Sequence, residues 1–146
     1  MKHHNKKPVA LFVYNRPSVT AQTLNAIIQY QPETLFFVSD GPKNGKDDEY
    51  KVNAVRGLLV SCEDLFNVVS WHRVANVGCR QSMMTGLDWV FDQVDQCIIL
   101  EDDCLPDRTF FDYCAQLLDR YQACAEVMSI SGFRAEQLKF SGEHSY

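Results

Sequence analysis

The chain has 146 residues, a formal charge of −5 from 14 Lys and Arg against 19 Asp and Glu, and is 46% apolar. At about 100–200 residues per domain, residues 1–146 read as one domain with core enough to fold without staples. Its 12% aromatic content excludes a disordered chain. The acidic balance argues against a nucleic-acid partner held by phosphate neutralisation, but not against a small anionic ligand, which needs only a few local charges.

Six cysteines, Cys62, Cys79, Cys97, Cys104, Cys114 and Cys124, form no CxxC pair and no zinc-type Cys/His cluster. Most fall in apolar segments, where a free thiol acts as a small hydrophobe. Six free thiols and a reducing, cytoplasmic location are the expectation. The basic start Met1–Lys7 precedes an apolar run of only Val9–Tyr14, too short for a signal segment or a transmembrane span. His3 and His4 read as part of a solvated tail.

The elements alternate. Val9–Tyr14 is a strand, ended by Asn15-Arg16-Pro17. Ser18 as N-cap and the stripe Leu24, Ile27, Ile28 predict a helix over Val19–Tyr30. Leu35–Val38 is a second strand, ended by Asp40-Gly41-Pro42. Asp47, Asp48 and Glu49 favour the start of a helix whose apolar stripe is Val52, Val55, Leu58 and Leu59. Phe66–Trp71 is a third strand, Gln81–Phe91 a helix with Met84, Leu87, Trp89, Val90 and Phe91, and Cys97–Leu100 a fourth strand. Pro106 and Asp107 open a helix from Arg108 to Ala123, with Phe110, Phe111, Tyr113, Cys114, Leu117, Leu118 and Tyr121 inward. Val127–Ile130 reads as a fifth strand, and residues 133–146 as an irregular tail. The order βαβαβαβαβ predicts an α/β fold with a mainly parallel sheet and helices on both faces.

Ligands of such sheets bind at the carboxyl ends of the strands, so the residues that follow the strands carry the chemistry. Glu101-Asp102-Asp103 is the sharpest of these. Three adjacent carboxylates repel when ionised, and Mg²⁺ or Mn²⁺ would relieve that repulsion while bridging to a diphosphate. The same triplet can also be a solvated turn that caps the next helix. Asp40 can accept from a base N–H or a ribose hydroxyl, or simply form an Asx-turn with Gly41. Arg16 can clamp a phosphate or base, or be an exposed loop arginine. No G-x-G-x-x-G, no G-x-x-x-x-G-K-[ST] and no G-x-S-x-G occurs, which disfavours dinucleotide dehydrogenases, P-loop enzymes and serine hydrolases.

Val9-Ala-Leu-Phe-Val-Tyr-Asn-Arg-Pro, Phe37-Val-Ser-Asp-Gly-Pro, and Ile98-Ile-Leu-Glu-Asp-Asp-Cys-Leu-Pro with Phe110-Phe-Asp-Tyr together resemble a GT-A-fold glycosyltransferase. The resemblance is to the N-acetylglucosaminyltransferase I type and its bacterial relatives, over about residues 8–132. It implies a Rossmann-like fold that binds a nucleotide-diphospho-sugar. It also implies that Arg16 lies near the nucleotide, that Asp40 reads uracil, and that Asp102 sits on the ribose side. Asp103 becomes the direct ligand of Mn²⁺, with Glu101 supporting. Arg80 falls where the family has a nucleotide-contacting histidine, and Asn15 replaces the acid of its Asp-Arg turn.

The function that the resemblance implies is transfer of a sugar from a nucleotide donor, UDP-sugar first, to a hydroxyl acceptor such as a glycan. Inversion is expected, with the metal neutralising the leaving diphosphate. The family's acceptor site and base lie past the triplet, so the resemblance is to the nucleotide-binding half, and the expectation is a chain without the C-terminal acceptor half. Glu136 and Glu143 sit in unpatterned sequence, and the catalytic base is unassigned. A nucleotide-binding module without transferase activity is the second reading. A nucleotidyltransferase ranks third, because Asn15-Arg16-Pro17 lacks the glycines of that class.

Overall fold

The structure is a computed structural model that describes residues 6–43, 45–107 and 109–132. In chain order the elements are β1 (Val9–Val13), α1 (Pro17–Tyr30), β2 (Thr34–Ser39), α2 (Lys46–Gly57), a short 3₁₀ turn (Leu58–Ser61), β3 (Asn67–His72), α3 (Cys79–Phe91), β4 (Ile98–Glu101) and α4 (Phe110–Tyr121). The strands form one all-parallel sheet in the order β3-β2-β1-β4. β1 and β2 are the inner strands and are buried on both faces, which is why they read as unbroken apolar runs.

The chain steps from β1 to β2 to β3 in one direction and then crosses back to place β4 on the far side of β1. Right-handed crossovers put helices on opposite faces when the direction reverses. Accordingly α1, α2 and α4 cover one face, where Leu24, Ile27, Val55, Phe111 and Cys114 pack with Leu11, Phe37 and Leu100. Helix α3 covers the other face, where Val90, Leu87 and Trp89 pack with Ala10, Phe12, Phe36 and Val38. The reversal leaves a switch point between β1 and β4.

Helix α3 approaches the sheet at Gly86. A Cβ there would stand 2.4 Å from the Phe12 ring, so a side chain at this position would push the helix away from β1. At the β3 end of the same face the Arg73 guanidinium stacks 3.8 Å over Trp71 and donates to Thr85 Oγ1 at 2.5 Å. Its buried Nε has no hydrogen-bond partner among the described residues, and the indole face offsets part of that loss.

Several boundaries differ from expectation. Helix α1 starts at Pro17 with Arg16 as N-cap, rather than at Val19 with Ser18 as N-cap; proline at the first helical position loses no needed N–H and has its φ already set. Helix α3 starts at Cys79 rather than Gln81, and of its apolar residues Met84 and Phe91 are exposed. Helix α4 spans Phe110–Tyr121, with Tyr113 turned partly to solvent. The expected fifth strand over Val127–Ile130 does not form. Met128 is 95% exposed and Ile130 only half-buried, so this run has no fully buried face to fix a register. The expectations for His3, His4, Arg108 and residues 133–146, with Glu136 and Glu143, lie outside the described residues. Among the described residues no helix is long and apolar enough to cross a membrane.

Candidate functional site at the switch between two strands

Strand β1 ends at Val13, and Arg16 then caps α1, its carbonyl accepting from both the amide and the hydroxyl of Thr20 at 2.9 Å. Strand β4 ends at Glu101, and the chain turns through Asp102 and Asp103, closed by the Cys104 amide donating to the Glu101 carbonyl at 3.0 Å. The buried Thr23 hydroxyl holds this turn, donating to the carbonyls of Asp102 at 2.8 Å and Cys104 at 3.0 Å. Because β1 and β4 are parallel neighbours, Arg16 and the carboxylates emerge side by side at the switch point, where open α/β sheets hold their ligands.

Arg16 spans both carboxylates. Its Nε donates to Asp102 Oδ2 at 3.3 Å and its Nη2 to Asp102 Oδ1, giving a fork. Nη1 and Nη2 both donate to Asp103 Oδ2 at 3.2 Å. Asp102 is 3% exposed, whereas the Asp103 side chain is 54% and the Arg16 side chain 48% exposed. The Asp102 hydrogen bonds hold the guanidinium's pKa above its ordinary value, against the opposing effect of desolvation. Glu101, exposed at the end of β4, does not join the pair.

Asp40 stands on the other side of β1, its amide donating to the Val13 carbonyl at 3.0 Å. The carboxylate is buried and fully engaged. Oδ1 accepts from the amides of Gly41 at 2.8 Å and Val77 at 3.0 Å. Oδ2 accepts from Asn76 Nδ2 at 2.9 Å and the Gly78 amide at 3.1 Å. A carboxylate offers about four acceptor sites, so a base N–H can be received only if one of these bonds yields. Asp40 thus ties the loop before α3, including Gly78 at φ 83°, to the end of β2. Arg56 of α2 supports the same edge, donating to Ser39 Oγ at 3.0 Å and to the carbonyls of Asp40 at 3.2 Å and Arg73 at 2.7 Å.

Asn15 is committed elsewhere. Its Nδ2 donates to Asp48 Oδ1 at 2.6 Å, while Asp48 Oδ2 accepts from the Tyr14 hydroxyl at 2.6 Å and the Lys43 amide at 2.5 Å. These bonds hold the Asp48 carboxyl below the usual range, Tyr14 contributing most. Burial first, and the Asp48 bond second, push the Tyr14 phenol up to about 12. Arg80 lies exposed in the first turn of α3, two residues past Gly78. The structure therefore joins Arg16, Asp102 and Asp103 in one cluster, and places Asp40, Asn15 with Asp48, and Arg80 at separate points of the same sheet edge.

A cavity of about 1560 Å³ lies away from this edge cluster. It runs outside β4, lined by Ile99, Leu105, Phe110, Tyr113 and Met128 among others, and includes neither Arg16 nor Asp102. Its walls are mostly apolar, while the charged groups converge at the switch point. The site is therefore read from charge convergence rather than from cavity size. Sequence reasoning missed Thr23 and Asn76, and saw Asp48 only as a helix-start acid. A polar Thr23 on the core face of α1 was the one available signal. All six cysteines are free thiols, with Cys62, Cys97 and Cys114 buried. No protein-family model matches the chain, and no curated protein is significantly similar to it.

Proposed function

We propose that the chain is the donor-nucleotide-binding part of a metal-dependent glycosyltransferase of GT-A type. One observation carries this reading: the Asn-Arg-Pro segment after β1 and the Glu-Asp-Asp triplet after β4, both part of the family resemblance, meet at the switch point through Arg16, Asp102 and Asp103. In this reading a nucleoside diphosphate lies across the carboxyl ends of β2, β1 and β4. The base lies toward Asp40 and Arg80, the ribose toward Asp102, and the diphosphate over Asp103 and Arg16. Glu101 supports the turn.

The donor set suits a hard divalent cation. Two carboxylates already converge on one positive group, and Mg²⁺ is usually held by one or two carboxylates together with substrate phosphates. Among the described residues no group of three or more His, Cys, Asp or Glu converges, so phosphate oxygens would complete the shell. Asp103 would be the direct ligand, with Asp102 beside it. When bound, the cation would neutralise charge on the departing diphosphate. Arg16 would bind and orient the phosphates bidentately. Thr23 keeps the carboxylate turn in place, and Asp40 keeps the loop before α3 against the sheet. The donor of first choice is a UDP-sugar and the acceptor a hydroxyl group. A cytoplasmic location rests on the cysteine pattern.

The test is thermal melting with UDP and with Mn²⁺ or Mg²⁺, singly and together. Ligand at a hundredfold excess over its dissociation constant adds about 2.7 kcal/mol, or roughly 5–10 °C in a domain of this size. A shift only with nucleotide and metal together supports the reading. No shift with any nucleoside diphosphate and metal overturns it. Binding of a sugar nucleotide without transfer to any hydroxyl acceptor would leave the binding-module form.

A further inference from the structure

We propose that Arg16 is the resident cation of this site: its guanidinium occupies the place between Asp102 and Asp103 that a divalent ion takes, and the ion's arrival frees Arg16 for the donor's phosphates. The inference rests on the nucleotide-binding reading above and specifies how binding at that site is regulated.

Asp102 is almost fully buried, and Arg16 is the side chain that forks across its carboxylate. A buried carboxylate without a partner is costly, so the free protein needs a cation here. Arg16 Nη2 reaches both carboxylates, so an ion seated between them would have to take the guanidinium's place. Arg16 is also built to leave. Its main chain is pinned by the two bonds from Thr20, yet its side chain is about half in solvent. Its two contacts to Asp103 are long, at 3.2 Å. Asp103, the expected metal ligand, is the more exposed carboxylate and the less firmly held.

Charge arithmetic gives the direction of the exchange. Two carboxylates and one guanidinium leave one net negative charge, whereas two carboxylates and a divalent ion leave none. The displaced guanidinium then stands at the sheet edge without a partner until a diphosphate arrives. Phosphates that draw Arg16 away remove the ion's competitor, so nucleotide and metal each strengthen the other's binding by the same factor.

The experiment uses metal alone. The parent, Arg16→Gln, Arg16→Lys and the double variant Arg16→Gln/Asp103→Asn are titrated with Mn²⁺ by calorimetry and by melting, starting from chelator-treated protein. Arg16→Gln is expected to melt below the parent without metal, to bind Mn²⁺ roughly tenfold more tightly than the parent, and to regain the lost melting temperature when metal is added. Arg16→Lys should fall between the two, and the double variant should lose the gain. Mn²⁺ affinity in Arg16→Gln equal to or weaker than the parent's overturns the proposal. If Arg16→Gln does not fold without metal, recovery on refolding with Mn²⁺ supports the exchange and continued failure overturns it. A gain in metal affinity in Arg16→Gln, in a parent whose melting UDP and metal together do not move, would sink the function and keep the exchange. The opposite pattern would sink the exchange alone.

Discussion

The Thr23 hydroxyl on the buried face of α1 donates to the Asp102 carbonyl at 2.8 Å, so the helix that Arg16 caps also holds the turn that pairs with Arg16. One element positions both halves of the charged cluster. Thr23→Val keeps the shape and removes the donor, leaving the Asp102 and Cys104 carbonyls short of a partner. A loss of about 1–3 kcal/mol is expected, read as a lower denaturation midpoint at unchanged slope. Thr23→Ser should retain most of that stability. A loss in Thr23→Ser without one in Thr23→Val would show that the methyl group, not the hydroxyl, matters.

Asp103→Ala separates chemistry from stability. The side chain is more than half exposed, and its removal also relieves repulsion with Asp102. Folding stability should stay within about 0.5 kcal/mol of the parent, while the metal dependence of UDP binding disappears. Calorimetry with and without Mn²⁺ reads both quantities. Unchanged metal dependence would remove Asp103 from the ligand set.

Asp40→Ala should behave in the opposite way. It strips the shared acceptor from three backbone amides and Asn76, and a cost of about 2–4 kcal/mol is expected. Asp40→Asn should recover little, because its amide group would face donors. Urea denaturation of both variants checks this. A drop below about 0.5 kcal/mol, within the ordinary range for surface changes, would mean that the loop before α3 does not depend on this carboxylate.

The Tyr14–Asp48 bond should leave a mark at both ends of the pH range. The Asp48 carboxyl is depressed in the folded chain, so its contribution is complete above the ordinary value near 4 and is lost as pH falls through the lower folded value. The Tyr14 phenol is raised to about 12, so its contribution is complete below the ordinary value near 10 and is lost as pH rises through the folded value. In Asp48→Asn the Tyr14 titration, followed by ultraviolet absorbance, should move back toward 10, and the acid-side loss of melting temperature should shrink. A tyrosine titration unmoved by this substitution would assign the whole shift to burial.

Gly86→Ala tests the seat of α3. The added methyl meets the Phe12 ring, and overpacking costs about 1–3 kcal/mol, against a helix-propensity gain of about 1 kcal/mol. A net loss of melting temperature is expected. A net gain would show that Phe12 gives way freely.

How much of this was legible in the sequence depended on burial. β1 and β2 are covered on both faces, so Val9-Ala-Leu-Phe-Val and Leu35-Phe-Phe-Val stood out as apolar runs, and the residues after each strand followed from position alone. The pairing of Arg16 with Asp102 needed strand order, which periodicity does not carry. The fifth strand failed for the converse reason: Val127-Met-Ser-Ile has strand composition, but none of its residues is fully buried. Asp40 was legible as a strand-end acid, but its four donors come from residues up to 38 positions away, beyond any local pattern. Asn15 was read with Arg16 because they adjoin in the chain, yet their side chains turn to different partners.

The crossing back of β4 has a consequence for the order in which the molecule is assembled. Arg16 and Asp102 are 86 residues apart, so their meeting closes one of the longest loops in the chain, and such closures are slow to form. During synthesis the segments of β1, β2 and β3 emerge before β4 is made. Until β4 arrives, β1 is an outer strand with one edge unpaired, and Arg16 faces water without its carboxylates. The charged cluster therefore requires β4 to be in place, and its appearance reports that this strand has docked beside β1.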